Sequence, residues 1–274
     1  MENNRLSPIQ SHELAILRQV VEICEREHIT YYLQGGTMLG AIRHKGFIPW
    51  DDDIDLGFPR EDYERLLRCV SASLPDYMKL RTYNDSSDHH YYFARVVDTR
   101  YRIERLGGLE HRQEELWVDL FPLDGMPNNV LMRQIHKLRL SIGRLKFHLS
   151  TIEKVNIKRP GRSALEKLVI NFAIKTGVGH KGNTVAICDK IDRMLKKYPI
   201  EGSDWIVNFM GQTSFKFTEM IPKRIYGKGA LYPFEDMTLM GPEDYDGYLK
   251  SLYGDYMTPP EDSNKNAHVA RLVE

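Results

Sequence analysis

The sequence predicts an α/β fold, a sheet with flanking helices over residues 1–125, followed by a mostly helical half over 126–274 that completes a cleft. Three observations carry this reading. Short β-branched and aromatic runs alternate with amphipathic helical patterns through the first half. An apolar stripe of four-and-three spacing starts at Leu131 and continues to Leu149. No internal repeat, low-complexity tract or flexible linker separates the halves, so they should pack as one body.

Taken in order, Ser7 and Pro8 read as the cap and first turn of a helix over 8–28, with Leu14, Leu17, Val20, Val21 and Cys24 at helical spacing. Ile29 to Leu33 reads as a strand running into Gln34, Gly35 and Gly36, and Thr37 as the cap of a short helix through Arg43. A loop over 46–50 delivers a second strand over 51–58, and Pro59 sits at the favoured first position of the next helix. Segments 78–84, 90–98, 101–106 and 116–121 read as strands, the last closing at Pro122. After the long stripe, helical patterns follow at 163–176, 183–197 and 242–253.

Composition narrows the function. The chain has 274 residues, 42% of them hydrophobic, and its 38 basic and 38 acidic side chains balance. A neutral chain has no global field for a polyanion, which argues against DNA binding. The start MENNRLSPIQ lacks the charged-then-apolar signal design, and no apolar run approaches a membrane span, so the expected location is cytoplasmic. Cys24, Cys69 and Cys188 are odd in number and widely spaced, which fits reduced thiols better than disulfides or a zinc site. Histidines in HExxH spacing and a serine in GxSxG are both missing, so the chemistry must be sought among carboxylates.

The run Asp51, Asp52, Asp53, Ile54, Asp55, Leu56, Gly57, Phe58 is the most informative stretch. On a strand, Asp51, Asp53 and Asp55 share one face, while Ile54, Leu56 and Phe58 share the other. Crowded carboxylates raise the cost of ionising one another, and a hard dication such as Mg²⁺ or Mn²⁺ removes that cost. All three, Asp51, Asp53 and Asp55, are candidate ligands. Asp119, in WVDL, is the candidate third ligand or general base if a neighbouring strand brings it to the same rim. Gly35 and Gly36 ahead of a helix start can offer backbone N–H groups to a phosphate, and Arg43 and Lys45 can neutralise a diphosphate. A solvated acidic turn and a plain glycine turn are the competing readings; the apolar alternate face and Trp50 oppose the first.

The stretch YYLQGGTMLGAIRHKGFIPWDDDIDLGFPREDYERLL, then WVDLFPLDG, then PEDYDGYLKSLYGDYMTPPE with His268 beyond, resembles the LicD family of phosphotransferases, relatives of the fukutin-type enzymes. The likeness is dense over 31–64 and 116–125, present over 242–268 and thin over 126–230. It implies a nucleotidyltransferase-like mixed sheet, with Asp53, Asp55 and Asp119 binding a catalytic metal and Gly35, Gly36 and Thr37 lining donor phosphates. It further implies that Lys265 and His268 reach the nucleotide. The implied donor is CDP-choline, whose phosphocholine passes to a sugar hydroxyl of a cell-surface glycan, lipopolysaccharide or teichoic acid precursor with release of CMP. Phosphoryl transfer needs positioning and charge neutralisation rather than a covalent enzyme intermediate, which agrees with a carboxylate site. Nucleotidyl transfer to a small molecule and an inactive nucleotide- or glycan-binding scaffold are the rival readings.

Other signals are weaker. Gly177, Gly179 and Gly182 spell GxGxxG after a helical pattern, where a dinucleotide site needs a preceding strand. Residues 133–162 hold nine Lys or Arg and one acid, Glu153, on what reads as the polar side of the long helix; basic helix faces are commonly just solvated, and contact with an anionic acceptor or the inner membrane surface is the alternative reading. Tyr245, Tyr248, Tyr253 and Tyr256 fit either an aromatic box for a quaternary ammonium or ordinary packing. His89 and His90 receive no role.

Overall fold

The computed structural model describes residues 6–85, 91–105, 112–151, 171, 183–211, 217–259 and 270–273. Helix α1 (Pro8–Arg26) opens with a capping box: the Ser7 hydroxyl accepts from the Gln10 N–H, and the Gln10 side chain accepts from the Ser7 N–H. Strand β1 (Tyr32–Leu33) is shorter than the apolar run suggests. Helix α2 (Gly35–Arg43) is capped by Gln34, so Thr37 lies inside its first turn instead of ahead of it.

Strand β2 (Asp55–Pro59) begins four residues later than expected. Residues 51–54 are irregular, and the strand alternation therefore does not extend to Asp51 and Asp53. Pro59 ends β2 at the cap position, and helix α3 (Arg60–Ser73) starts after it, with Glu61 and Asp62 at its positive end. Strand β3 (Met78–Arg81) leads to β4 (Ala94–Arg105), one long strand where two were expected; the interruption is only a bulge between Asp98 and Arg102. Strand β5 (Arg112–Gly125) runs straight through Pro122.

Among the described residues, the second half carries strands as well as helices. Helices α4 (Val130–Ser150), α5 (Thr184–Leu195), α6 (Lys223–Tyr226) and α7 (Tyr245–Tyr253) are interleaved with β6 (Trp205–Val207), β7 (Met220–Pro222), β8 (Ala230–Phe234), β9 (Met237–Gly241) and β10 (Ala270–Val273). The main sheet runs β1-β2-β5-β4-β10, with β3 also on β4 and β6 and β7 extending the β5 edge; β8 and β9 form a separate hairpin. The pairing of β2 with β5 is parallel, in a sheet whose other described pairings are antiparallel. Three strands from beyond residue 126 thus complete a sheet begun in the first half.

Helices α1 and α3 pack on β5 and on each other, burying Leu17, Val20, Leu66 and Val70 against Leu56, Phe58, Val118 and Leu120. A second core joins Leu140 and Phe147 of α4 to Cys188, Ile191 and Leu195 of α5 and to Phe209. Arg60, the first residue of α3, ties the two regions: it pairs with Asp124 of β5 at 2.6 Å and Asp192 of α5 at 2.8 Å. The regular apolar stripe of α4 is not the face that meets the core. His136, Leu140, Gly143, Arg144 and Phe147 are its buried positions, and the Leu131 to Leu145 stripe faces outward. All three cysteines are free, Cys24 and Cys188 buried and Cys69 half-buried.

Candidate active site

The site forms where the α2 N-terminus, the 48–55 segment and the centre of the sheet meet. Asp55 of β2 is in register with Asp119 of β5, and Asp119 is in register with Arg95 of β4. Register partners on adjacent strands point to one face, so Arg95, Asp119 and Asp55 form a row across three strands. The chain is stitched there by its own backbone: Asp119 N–H donates to Ile54 carbonyl at 2.9 Å, Gln34 N–H to Asp55 carbonyl at 3.0 Å, and Asp55 N–H to the Thr37 hydroxyl at 2.9 Å.

Asp51 arrives by a different route. The Gln10 amide of the capping box donates to the Asp51 carbonyl at 2.9 Å, pinning the loop over the start of α1. Its carboxylate lies over the glycines, because a Cβ on Gly36 would stand 2.8 Å from Asp51 Oδ2. A Cβ on Gly35 would stand 3.3 Å from Asp55 Oδ2 and 3.7 Å from the Tyr253 hydroxyl. Gly35 also has φ +49°, a conformation most residues avoid. The glycine pair therefore lets two carboxylates close on the positive end of a helix.

The electrostatics follow from that crowding. Burial, then Asp53, then Asp52 push the Asp51 carboxyl up to about 8. Burial, then Asp53, Asp119 and Asp51, push that of Asp55 well above the usual carboxylate range. Arg95 is the cation in the row. Its Nε lies 2.5 Å from Asp119 Oδ1, and its guanidinium is stacked 3.5 Å from the Tyr91 ring centroid and 4.2 Å from that of Trp117.

Two further carboxylates escape sequence reasoning. Glu13 of α1 is fully buried, with neither side-chain oxygen hydrogen-bonded among the described residues. Burial, then the charges of Asp53, Asp52, Asp51 and Asp119, raise its carboxyl well above the ordinary value. A signal existed: Glu13 falls on the apolar face, four residues from Ile9 and from Leu17. Glu219, just before β7, is pushed up to about 7 chiefly by burial and repels Asp55. The Tyr253 hydroxyl belongs to the same neighbourhood, its pKa raised by burial and by Glu219, Asp55, Asp51 and Asp53.

The other expected residues divide. Gly35, Gly36 and Thr37 lie beside the carboxylates, but the Gly35 N–H already donates to the Tyr248 hydroxyl at 3.0 Å. Tyr248 and Tyr226 both donate to Gln34 Oε1 at 3.1 Å, so Tyr248 is a structural support of the glycine turn. Arg43 donates to the Tyr256 carbonyl at 2.9 Å, which anchors the segment after α7. Lys45 is exposed on a turn with φ +60°. Lys265, His268, the 177–182 glycines, His89, His90, the bulk of the 163–176 helix and residues 152–162 of the basic run lie outside the described residues. Among those described, no trio of His, Cys, Asp or Glu side chains is arranged to hold a metal ion. The donor chemistry nevertheless suits a hard cation: the neighbourhood offers carboxylate oxygens in excess over the Arg95 charge, and the buried Glu13 carboxyl lacks a hydrogen-bond donor.

Comparison with known proteins points the same way. Residues 28–150 match the family model described as LicD/FKTN/FKRP, nucleotidyltransferase domain. The chain is 30% identical over 262 residues to the lipopolysaccharide cholinephosphotransferase LicD of Haemophilus influenzae, covering 93% of both chains. It is 51% identical over 62 residues to the ribitol 5-phosphate transferase FKRP of Homo sapiens, which is 22% of this chain and 12% of that one.

Proposed function

The chain belongs to the LicD family, and from that premise we propose that it is a phosphotransferase carrying a phospho-alcohol, phosphocholine foremost, from a nucleotide-linked donor to a glycan hydroxyl. The observation that carries the reading is the Arg95, Asp119, Asp55 row set beside the glycine start of α2, with Asp51 and Asp53 completing the cluster. The relatives named for cholinephosphate and ribitol phosphate transfer support the class of group moved. CDP-choline is the donor we favour, and a lipopolysaccharide or teichoic acid precursor the acceptor.

Asp53, Asp55 and Asp119 would hold a Mg²⁺ or Mn²⁺ ion, with Asp51 as reserve. When bound, such an ion neutralises diphosphate charge and stabilises the departing phosphate. The chain's own groups do the rest. Gly35 and Gly36 let the donor's phosphates approach the α2 backbone closely, at the positive helix end. Asp119, fixed by Arg95, orients the acceptor hydroxyl. Asp119 also accepts the proton of that hydroxyl. The hydroxyl oxygen then bonds to the alcohol-bearing phosphorus, the bond from that phosphorus to the bridging oxygen breaks, and CMP leaves with that oxygen.

Product analysis tests this directly. Incubation with CDP-choline and a glycan acceptor should give CMP and a phosphocholine-bearing acceptor. Release of pyrophosphate from a nucleoside triphosphate, with nucleotidyl attachment, would replace this reading with nucleotidyl transfer.

A further inference from the structure

The outward stripe of α4 is the largest feature the proposed chemistry leaves unused. Leu131, Ile135, Leu138, Ile142 and Leu145 recur every four and three residues and are 38% to 70% exposed. At about 100° per residue they fall within one narrow sector, opposite the face that Leu140, Gly143 and Phe147 bury. A soluble helix normally places charge there. Here the charges sit at the margin: Arg139 and Lys146, both exposed, lie along one edge of the stripe. Residues 130–150 contain five Lys or Arg and no Asp or Glu.

We propose that α4 is a membrane-contact helix that lies in the interface of an anionic bilayer, its leucine and isoleucine stripe among the acyl chains and its flanking cations on lipid phosphates. Charge decides for lipid over a second copy of this chain, because two α4 faces set against each other would bring the flanking cations together with no acid on either helix to pair them. Length and composition decide for lying on the bilayer over crossing it: among the described residues no helix is long and apolar enough to span a membrane. The buried face keeps α4 docked on α5 while the opposite face meets the lipid. A phosphotransferase so placed would work on acceptors presented at a membrane surface.

The test is co-sedimentation of the full chain with phosphatidylcholine vesicles, with and without about 30% phosphatidylglycerol. The chain should pellet with the anionic vesicles and only weakly with the neutral ones. The triple substitution Leu138→Ser, Ile142→Ser, Leu145→Ser should lower the partition coefficient about tenfold or more, since these side chains supply the inserted surface. Arg139→Gln with Lys146→Gln should weaken binding to anionic vesicles alone, and raising the salt to about 0.5 M should erase the difference. Because all five side chains are exposed, circular dichroism should report an intact fold in both variants. Failure of the chain to bind anionic vesicles, binding indifferent to the serine substitutions, or a stripe-dependent dimer in light scattering would overturn the proposal.

Discussion

Replacing Arg95 with methionine is the sharpest probe of how the site is built. Methionine keeps the volume and the stacking partners Tyr91 and Trp117 but removes the cation from Asp119, a residue only 6% exposed. Removing one member of a buried ion pair costs about 3–5 kcal/mol, because the remaining carboxylate stays desolvated. With a urea slope of about 3 kcal/mol/M, that moves the unfolding midpoint down by about 1 M or more. The double variant Arg95→Met, Asp119→Asn should recover part of the loss, with a coupling of about 2 kcal/mol in the cycle. Turnover should fall about a hundredfold in Arg95→Met even where the protein is fully folded, because Asp119 loses its fixed position. Strictly additive costs, or an Arg95→Met variant within about 1 kcal/mol of the parent, would refute the claim that this arginine holds the carboxylate row together.

Other expectations follow from the same geometry. Asp55→Asn should lower transfer by about a hundredfold or more, while raising the melting temperature of the metal-free protein, since it removes a carboxylate that burial, then Asp53 and Asp119, disfavour. Glu13 has a folded-state pKa above its unfolded one, so its destabilising effect is absent below about pH 4 and grows by about 1.4 kcal/mol per pH unit above that until the folded value is reached. The stability of Glu13→Gln relative to the parent should accordingly rise with pH in paired melts; a flat difference from pH 4 to 7 would contradict this. Gly36→Ala places a Cβ 2.8 Å from Asp51 Oδ2, so it should displace that carboxylate and raise the KM for donor severalfold, with little loss of thermal stability.

Much of the site is legible in the sequence because its parts are local. The glycine pair, the aspartate run and WVDL each announce themselves by residue type, and the register of β2 with β5 brings Asp55 beside Asp119, the neighbouring-strand placement on which the reading of Asp119 depended. What fails is whatever depends on partners distant in sequence. Asp51 and Asp53 look like strand residues because Ile54 and Leu56 alternate with them, yet the chain is held off the sheet there by Gln10 of α1. Thr37 looks like a cap, but its hydroxyl is claimed by Asp55 across the turn. Pro122 reads as a strand end, whereas β5 continues to Gly125.

Arg95, Glu13 and Glu219 are harder to see for a related reason. Each is a lone charge in an apolar pattern, and only the three-dimensional row explains it. Glu13 alone carried a usable warning, a carboxylate on the buried face of an amphipathic helix. The α4 stripe misleads in the opposite sense. Its spacing identifies a helix correctly, but spacing cannot say which of two apolar faces meets the core, and here the less regular face, with His136, Gly143 and Arg144, is the buried one.

Acceptor-dependent release of CMP bears on the central claim most directly. With a panel of CDP-alcohols, Mg²⁺ and a glycan acceptor, the protein should liberate CMP in step with acceptor modification, and Asp55→Asn, folded and pure, should liberate none above background. Equal rates in the two proteins, or nucleotide release with no group on the acceptor, would show that the carboxylate row beside the α2 glycines is not where this chain does its chemistry.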